Sequence, residues 1–240
     1  MNTLWIFGDS FSSEFDYNNL HENHISYMKI MSVSNVPVWG TVLAEKLGYD
    51  IKNLAKGGSS NYQIFQDYCD SCHLIQPNDI VIVGWGLIDK FRISENNRFI
   101  NIHPNNTRDY ENMSKSTLDE IVKNRREKYN SIDIWAGEVY GWERGMDTLS
   151  KNKGYKIYFW STEEDRLIYK ENEEHKKSKN YLCSESKQSL IHFLRNVGCL
   201  SMSQETNNIV GDSHFGIQGH NKQAQIFYDY IMGTYKSKMI

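Results

Sequence analysis

Asp79-Ile80-Val81-Ile82-Val83-Gly84-Trp85-Gly86, "DIVIVGWG", is the stretch whose reading decides the fold. It follows Pro77, runs through four β-branched residues and stops at glycine. That pattern fits a short strand buried on both faces better than a helix. A strand of this kind belongs in the middle of a sheet, so its neighbours must be sought elsewhere in the chain.

Working outward, Thr3 to Phe7 is another short apolar run closed by glycine and aspartate. "IKNLAKGGSSN" reads as a strand entering a glycine turn, and "KGYKIYFWS", Lys153 to Ser161, as a fourth strand. Between them, Val38, Val42, Leu43 and Leu47 recur at helical spacing, with Gly48 placed as a stop. An amphipathic helix is expected through Ile64 and Phe65 toward Cys72, and another from about Gln218 to Tyr235, with Ala224, Phe227, Tyr228 and Ile231 on one face. Strands alternating with helices imply a mostly parallel sheet covered on both sides, an α/β fold.

The 240 residues are enough for one substantial domain, and a single domain over 1–240 is expected. Polar stretches near 12–36, 90–115 and 162–186 read as lids, binding loops or insertions. A net charge of -3 gives no electrostatic case for nucleic acid or an anionic membrane, so neither is expected as a partner. The first apolar run is already a strand and no run reaches membrane-spanning length. A soluble, cytoplasmic product without a classical signal peptide is therefore expected, and a virion or a signal-independent export route would leave no mark in the sequence. Nothing in the sequence signals an oligomeric state.

Cys69, Cys72, Cys183 and Cys199 do not form a disulfide framework, and Cys69-x-x-Cys72 lacks a second ligand pair for zinc. His21-Glu22-Asn23-His24 sets two imidazoles three apart in a polar segment with no third ligand. These are expected to be solvated histidines, and no metal site is expected.

The tripeptide Gly-Asp-Ser occurs twice, in "IFGDSF" (Ile6 to Phe11) and in "GDSHFGIQGH" (Gly211 to His220). Ser10 follows a strand, where reactive groups of open parallel sheets gather, and it can stand at a helix N-terminus that favours negative charge. It reads as a nucleophile or as a plain N-cap. In the second copy, residues two apart project to one side of an extended segment, so Asp212 can orient His214 while Ser213 is a spacer.

These blocks resemble the SGNH (GDSL-type) hydrolase superfamily. The resemblance implies a flavodoxin-like three-layer α/β/α sandwich, Ser10 as nucleophile, His214 as base and Asp212 as its partner. It also implies oxyanion donors at the N–H of Ser10 and of Gly58 in "NLAKGGSSN", with Gly57 the close alternative. Two departures stand out. The aspartate is two residues before the histidine rather than three, and "VGWGLID" places Gly86, Leu87, Ile88 and Asp89 where the family has a glycine and an asparagine. Asn61 is the candidate replacement donor, or else a helix cap. Trp85 and Arg92 resemble a tryptophan–arginine pair of some relatives and are assigned to substrate binding.

The implied activity is cofactor-free hydrolysis of a small acyl ester, acetyl above all, from a small molecule or glycan. Acyl transfer by the same triad, and a binding module that kept the fold, are the alternatives.

Overall fold

The computed structural model describes residues 1–86 except 16 and 19, then 116, 119–120, 123, 132–161, 180–182 and 190–235; for 91–95, 98–102, 132–136 and 190–192 it describes the backbone alone. Four strands form the central sheet: β1 (Thr3–Phe7), β2 (Asp50–Asn53), β3 (Ile80–Trp85) and, after the hairpin below, β6 (Lys156–Ser161). Their order is β2-β1-β3-β6 and every pairing is parallel. The register sets Leu4 beside Ile80 and Val83 beside Phe159. This is the flavodoxin-like arrangement expected from the sequence, with the order reversing between β1 and β3.

Alternation along the strands builds the two outer layers. Leu4, Ile6, Ile80 and Ile82 face one side with Trp39, Leu43, Leu194, Ala224 and Phe227. These come from α2 (Trp39–Leu47), α5 (Leu190–Asn196) and α7 (Ile217–Ile231). Trp5, Phe7, Val81, Val83 and Trp85 face the other side with Ile64, Tyr68, Val139 and Met146, from α3 (Asn61–Ser71) and α4 (Ile132–Lys153). Trp39, edge-to-face with both Trp160 and Phe227, fills the first layer with them. Among the described residues, no helix is long and apolar enough to cross a membrane.

One buried carboxyl ties the sheet together at its lower edge. Asp79 is 3% exposed; it accepts from the Thr3 N–H (2.8 Å), the Trp5 indole N–H (2.9 Å) and the Gln76 N–H (3.0 Å). Its carbonyl takes the Lys156 N–H at 3.0 Å. Asp79→Ala leaves three donors without an acceptor, one of them a buried indole, and is expected to cost about 3–5 kcal/mol of stability. Urea unfolding should show a lower midpoint at unchanged slope, with Asp79→Asn intermediate.

The sequence reading is corrected at several points. The polar stretch near 12–36 contains a helix, α1 (Glu22–Met31), docked through Tyr27, Met28 and Met31 against Val36, Met202 and Val210. The stretch near 90–115 contains an antiparallel hairpin of β4 (Phe91–Glu95) and β5 (Arg98–Ile102); the rest of it, Cys183, and the stretch near 162–186 apart from 180–182 lie outside the described residues. Residues 180–182 extend the sheet edge beside Phe159. The last helix ends at Ile231, four residues early, because Gly233 turns left-handed (φ 69°) and the Thr234 and Tyr235 N–H groups fold back on the Asp229 carbonyl.

Candidate active site

Ser10 sits just past the C-terminal end of β1, where the strand order reverses and open α/β sheets bind ligands. The expected helix N-terminus is absent: the chain makes a tight turn in which the Asp9 carbonyl accepts from the Ser12 and Ser13 N–H groups, both at 3.0 Å. The Asp9 carboxyl, 1% exposed, takes the Phe11 N–H at 3.1 Å. The turn is thus held from inside by Asp9, and Ser10 is left at its tip.

Three loops converge on that tip. Beyond β2 the chain keeps pairing with β1, through Leu54 N–H to the Ile6 carbonyl (2.8 Å) and Lys56 N–H to the Gly8 carbonyl (3.1 Å). Gly57 and Gly58 follow directly on this pairing, and Gly58 has a φ of 78°, which a side chain would strain. Asn53 ties the same two loops with a 2.7 Å bond to the Ser12 carbonyl. The loop after β3 comes close enough that a Cβ on Gly86 would stand 2.8 Å from the Asp9 carboxyl and would have to displace it. Among the described residues, none accepts a hydrogen bond from the N–H of Ser10 or Gly58.

His214 and Asp212 arrive from the far end of the sequence on the loop before α7. That loop is anchored on the N-terminus of the short helix α6 (Met202–Glu205). The Met202 N–H donates to the His214 carbonyl (2.8 Å) and the Ser203 N–H to the Asp212 carbonyl (3.0 Å), so orphan helix donors fix both residues. His214 Nε2 lies 3.0 Å from Ser10 Oγ and Nδ1 lies 2.7 Å from Asp212 Oδ1. The same Oδ1 accepts the His214 backbone N–H at 2.8 Å. Phe11 packs against the imidazole with ring centroids 4.7 Å apart. Ser213 is exposed, as a spacer should be.

Burial alone would raise the Asp212 carboxyl, but bonds from the His214 ring, the His24 ring and the His214 N–H outweigh it and hold the carboxyl well below the usual range. An ionised Asp212 only accepts, so the proton of the neutral imidazole sits on Nδ1 and Nε2 is left to accept from the Ser10 hydroxyl. This arrangement can draw a proton from Ser10 and stabilise the imidazolium that results.

The other candidates fare differently. Asn61 is 8% exposed and its amide is engaged with Gly86: Oδ1 accepts the Gly86 N–H at 2.8 Å and Nδ2 donates to the Gly86 carbonyl at 3.3 Å. It pins the loop after β3 to the start of α3, where Ser60 is the actual cap. Trp85 needs correction: it is 1% exposed and points into the α3/α4 layer, so it presents no face to a substrate. Arg92 lies on β4 paired with Asn101, and its side chain is outside the described residues. His24 also needs correction. It is not simply solvated, since its Nε2 lies 3.4 Å from Asp212 Oδ2. Among the described residues, no group of three metal-ligating side chains forms.

The partner of Trp85 was invisible in the sequence. Its indole donates at 2.6 Å to Glu143, which is 4% exposed and whose carboxyl burial raises to about 8, with the Trp85 bond partly offsetting that rise. The unfolded chain loses this proton near pH 4.5, whereas the folded chain keeps it to about pH 8. Stability contributed at low pH therefore declines as pH rises through that window. Glu143→Gln keeps the acceptor and cannot ionise, so its melting temperature relative to wild type is expected to rise between pH 4.5 and pH 8 and to stay level below it.

No family model matches the chain, and no curated protein matches it. Solved structures resemble the chain in its flavodoxin-like fold. The solved structure of protein YxiM from Bacillus subtilis is similar at a TM-score of 0.52 and 16% identity, over 97% of this chain and 57% of that one. This chain thus spans little more than half of that protein. Two more distant structures are a chain assigned to the G-D-S-L lipolytic family from Desulfitobacterium hafniense (TM-score 0.47, 11% identity, 98% of this chain and 100% of that one) and one assigned as a GDSL-like lipase from Parabacteroides merdae (TM-score 0.46, 14% identity, 97% and 95%).

Proposed function

We propose that the chain is a serine hydrolase that cleaves a small acyl ester through a covalent acyl-enzyme. The observation that carries this reading is the relay from Ser10 Oγ to His214 Nε2 (3.0 Å) and from His214 Nδ1 to Asp212 (2.7 Å), at the fold's ligand-binding edge. His214 takes the hydroxyl proton as Ser10 Oγ attacks the carbonyl carbon, and the carbonyl electrons move onto oxygen. The N–H groups of Ser10 and Gly58 hold that oxyanion, helped by the second Nδ2 hydrogen of Asn61. The intermediate collapses and expels the alcohol, which takes the proton from His214. Water then adds with His214 as base, the acid leaves, and Ser10 is regenerated. No cofactor enters any step.

Acetyl on a carbohydrate is the proposed substrate class. Tyr62, half-exposed beside Asn61 and edge-on to Trp142, offers an aromatic surface of the kind that packs on sugar rings. A second reading, a binding module with weakened catalysis, is favoured by the engagement of Asn61 with Gly86, which leaves the third oxyanion donor reduced. Hydrolysis of a short-chain chromogenic ester, followed by acetate release from acetylated saccharides, separates the two. Turnover that depends on Ser10 supports the hydrolase, and its absence from every ester supports the binding module.

A further inference from the structure

Asp212 is met by two imidazoles rather than one, and the second comes from the segment the sequence marked only as polar. The two histidines take different oxygens: His214 Nδ1 is on Oδ1 and His24 Nε2 is 3.4 Å from Oδ2. The Asp212 side chain is only 11% exposed, so water has little access to hold the second oxygen in place. A carboxylate fixed at one oxygen alone can pivot about that contact, and contact at both oxygens sets its plane.

Helix α1 is built to deliver that contact. His24 and Tyr27 are three residues apart and share a face of the helix. Tyr27 is fully buried, its hydroxyl donates to Glu205 and accepts the Ile217 N–H at 2.8 Å. Glu205 in turn accepts the Gln218 and Gly219 N–H groups at 3.0 and 3.2 Å, at the N-terminus of α7. The helix bearing His24 is therefore bolted to both ends of the loop that carries Asp212 and His214. The ring itself is held edge-on by Phe15, with centroids 4.6 Å apart at 70°. His21 belongs to a different task, capping α1 through the Asn23 N–H.

We propose that His24 is a positioning residue of the site: its Nε2–H holds Asp212 Oδ2, so that Oδ1 stays aligned on His214 Nδ1 and the Nε2 lone pair of His214 stays on Ser10. The inference rests on the hydrolase reading for its kinetic consequence, though not for its structural one. His24 touches no reacting atom and acts through the carboxylate.

The test compares two substitutions in the full chain. His24→Phe keeps a ring for Phe15 and removes the donor, whereas His24→Gln keeps an N–H at similar reach. Imidazole-selective proton–nitrogen NMR reads the His214 Nδ1 proton, and steady-state kinetics on a chromogenic ester reads turnover. His24→Phe is expected to expose the His214 Nδ1 proton to solvent exchange and to lower kcat about 10-fold with KM within about 2-fold. His24→Gln should keep the proton protected and kcat within about 3-fold of wild type. A His214 Nδ1 proton equally protected in wild type and His24→Phe would overturn the proposal, as would equal loss in the Phe and Gln variants, which is what mere packing of α1 predicts. A wild type without Ser10-dependent turnover would sink the hydrolase reading alone, and the NMR comparison would still decide the role of His24.

Discussion

Ser10→Ala is expected to lower kcat/KM on a short-chain ester by about 10⁴-fold or more, with the folded structure intact. In the proposed mechanism Ser10 Oγ forms the acyl bond, and Asp9, which holds the turn, is untouched by the change. Stability should not move measurably, because Ser10 is half-exposed and its hydroxyl contacts the His214 ring rather than the core. Any remaining rate would come from water attack aided by the proposed N–H donors of Ser10 and Gly58, so no burst of released alcohol is expected. His214→Ala should fall to a similar floor, and the double variant no further, since nucleophile and base act as one unit.

Asp212→Asn carries the second large effect, about 10³- to 10⁴-fold in kcat. The asparagine fills the same space but can present its amide N–H to His214 Nδ1. The imidazole proton then moves to Nε2, which can no longer accept from Ser10, and the anion that stabilises the imidazolium is gone. KM should change little, because Asp212 faces two histidines rather than a substrate. Its pH signature has a definite sign. A folded carboxyl held below its ordinary value of 3.8 contributes stability above that pH and loses it as pH falls toward the folded value. The stability gap between wild type and Asp212→Asn should therefore be full at neutral pH and narrow below about pH 4.

The parts of this structure that the sequence made legible are those written locally. Ile80 to Val83 and Thr3 to Phe7 announce buried strands by composition, and Gly48 ends α2 where a left-handed residue is needed. Ser10, Asp212 and His214 were readable as candidates because short loops after strands concentrate chemistry, and the fold brings them within hydrogen-bonding distance across 204 residues of chain. What stayed hidden depends on partners far away. Helix α1 has a weakly apolar face: Tyr27 is buried, Met28 and Met31 only partly so, and hydrogen bonds of Tyr27 with Glu205 and Ile217 complete the docking, so periodicity gives no signal. His24 looked solvated because its partner lies 188 residues on. Trp85 reads as a substrate-binding residue because strand alternation does not reveal that Glu143, from α4, waits beneath it.

Glu143 and Asp79 show the same lesson in energetic form. Each is a buried acid whose meaning lies in what it accepts from. Asp79 closes three donors at the start of the sheet, whereas Glu143 closes an indole at its end. Both donor sets are made by folding.

Ser10 is proposed as a nucleophile activated by His214. The most direct test is covalent labelling with a fluorophosphonate, read by intact mass and peptide mapping. A single adduct on Ser10 is expected, absent in Ser10→Ala and formed far more slowly in His214→Ala. An unmodified wild type, or an adduct that persists on another residue when Ser10 is alanine, would contradict the proposal.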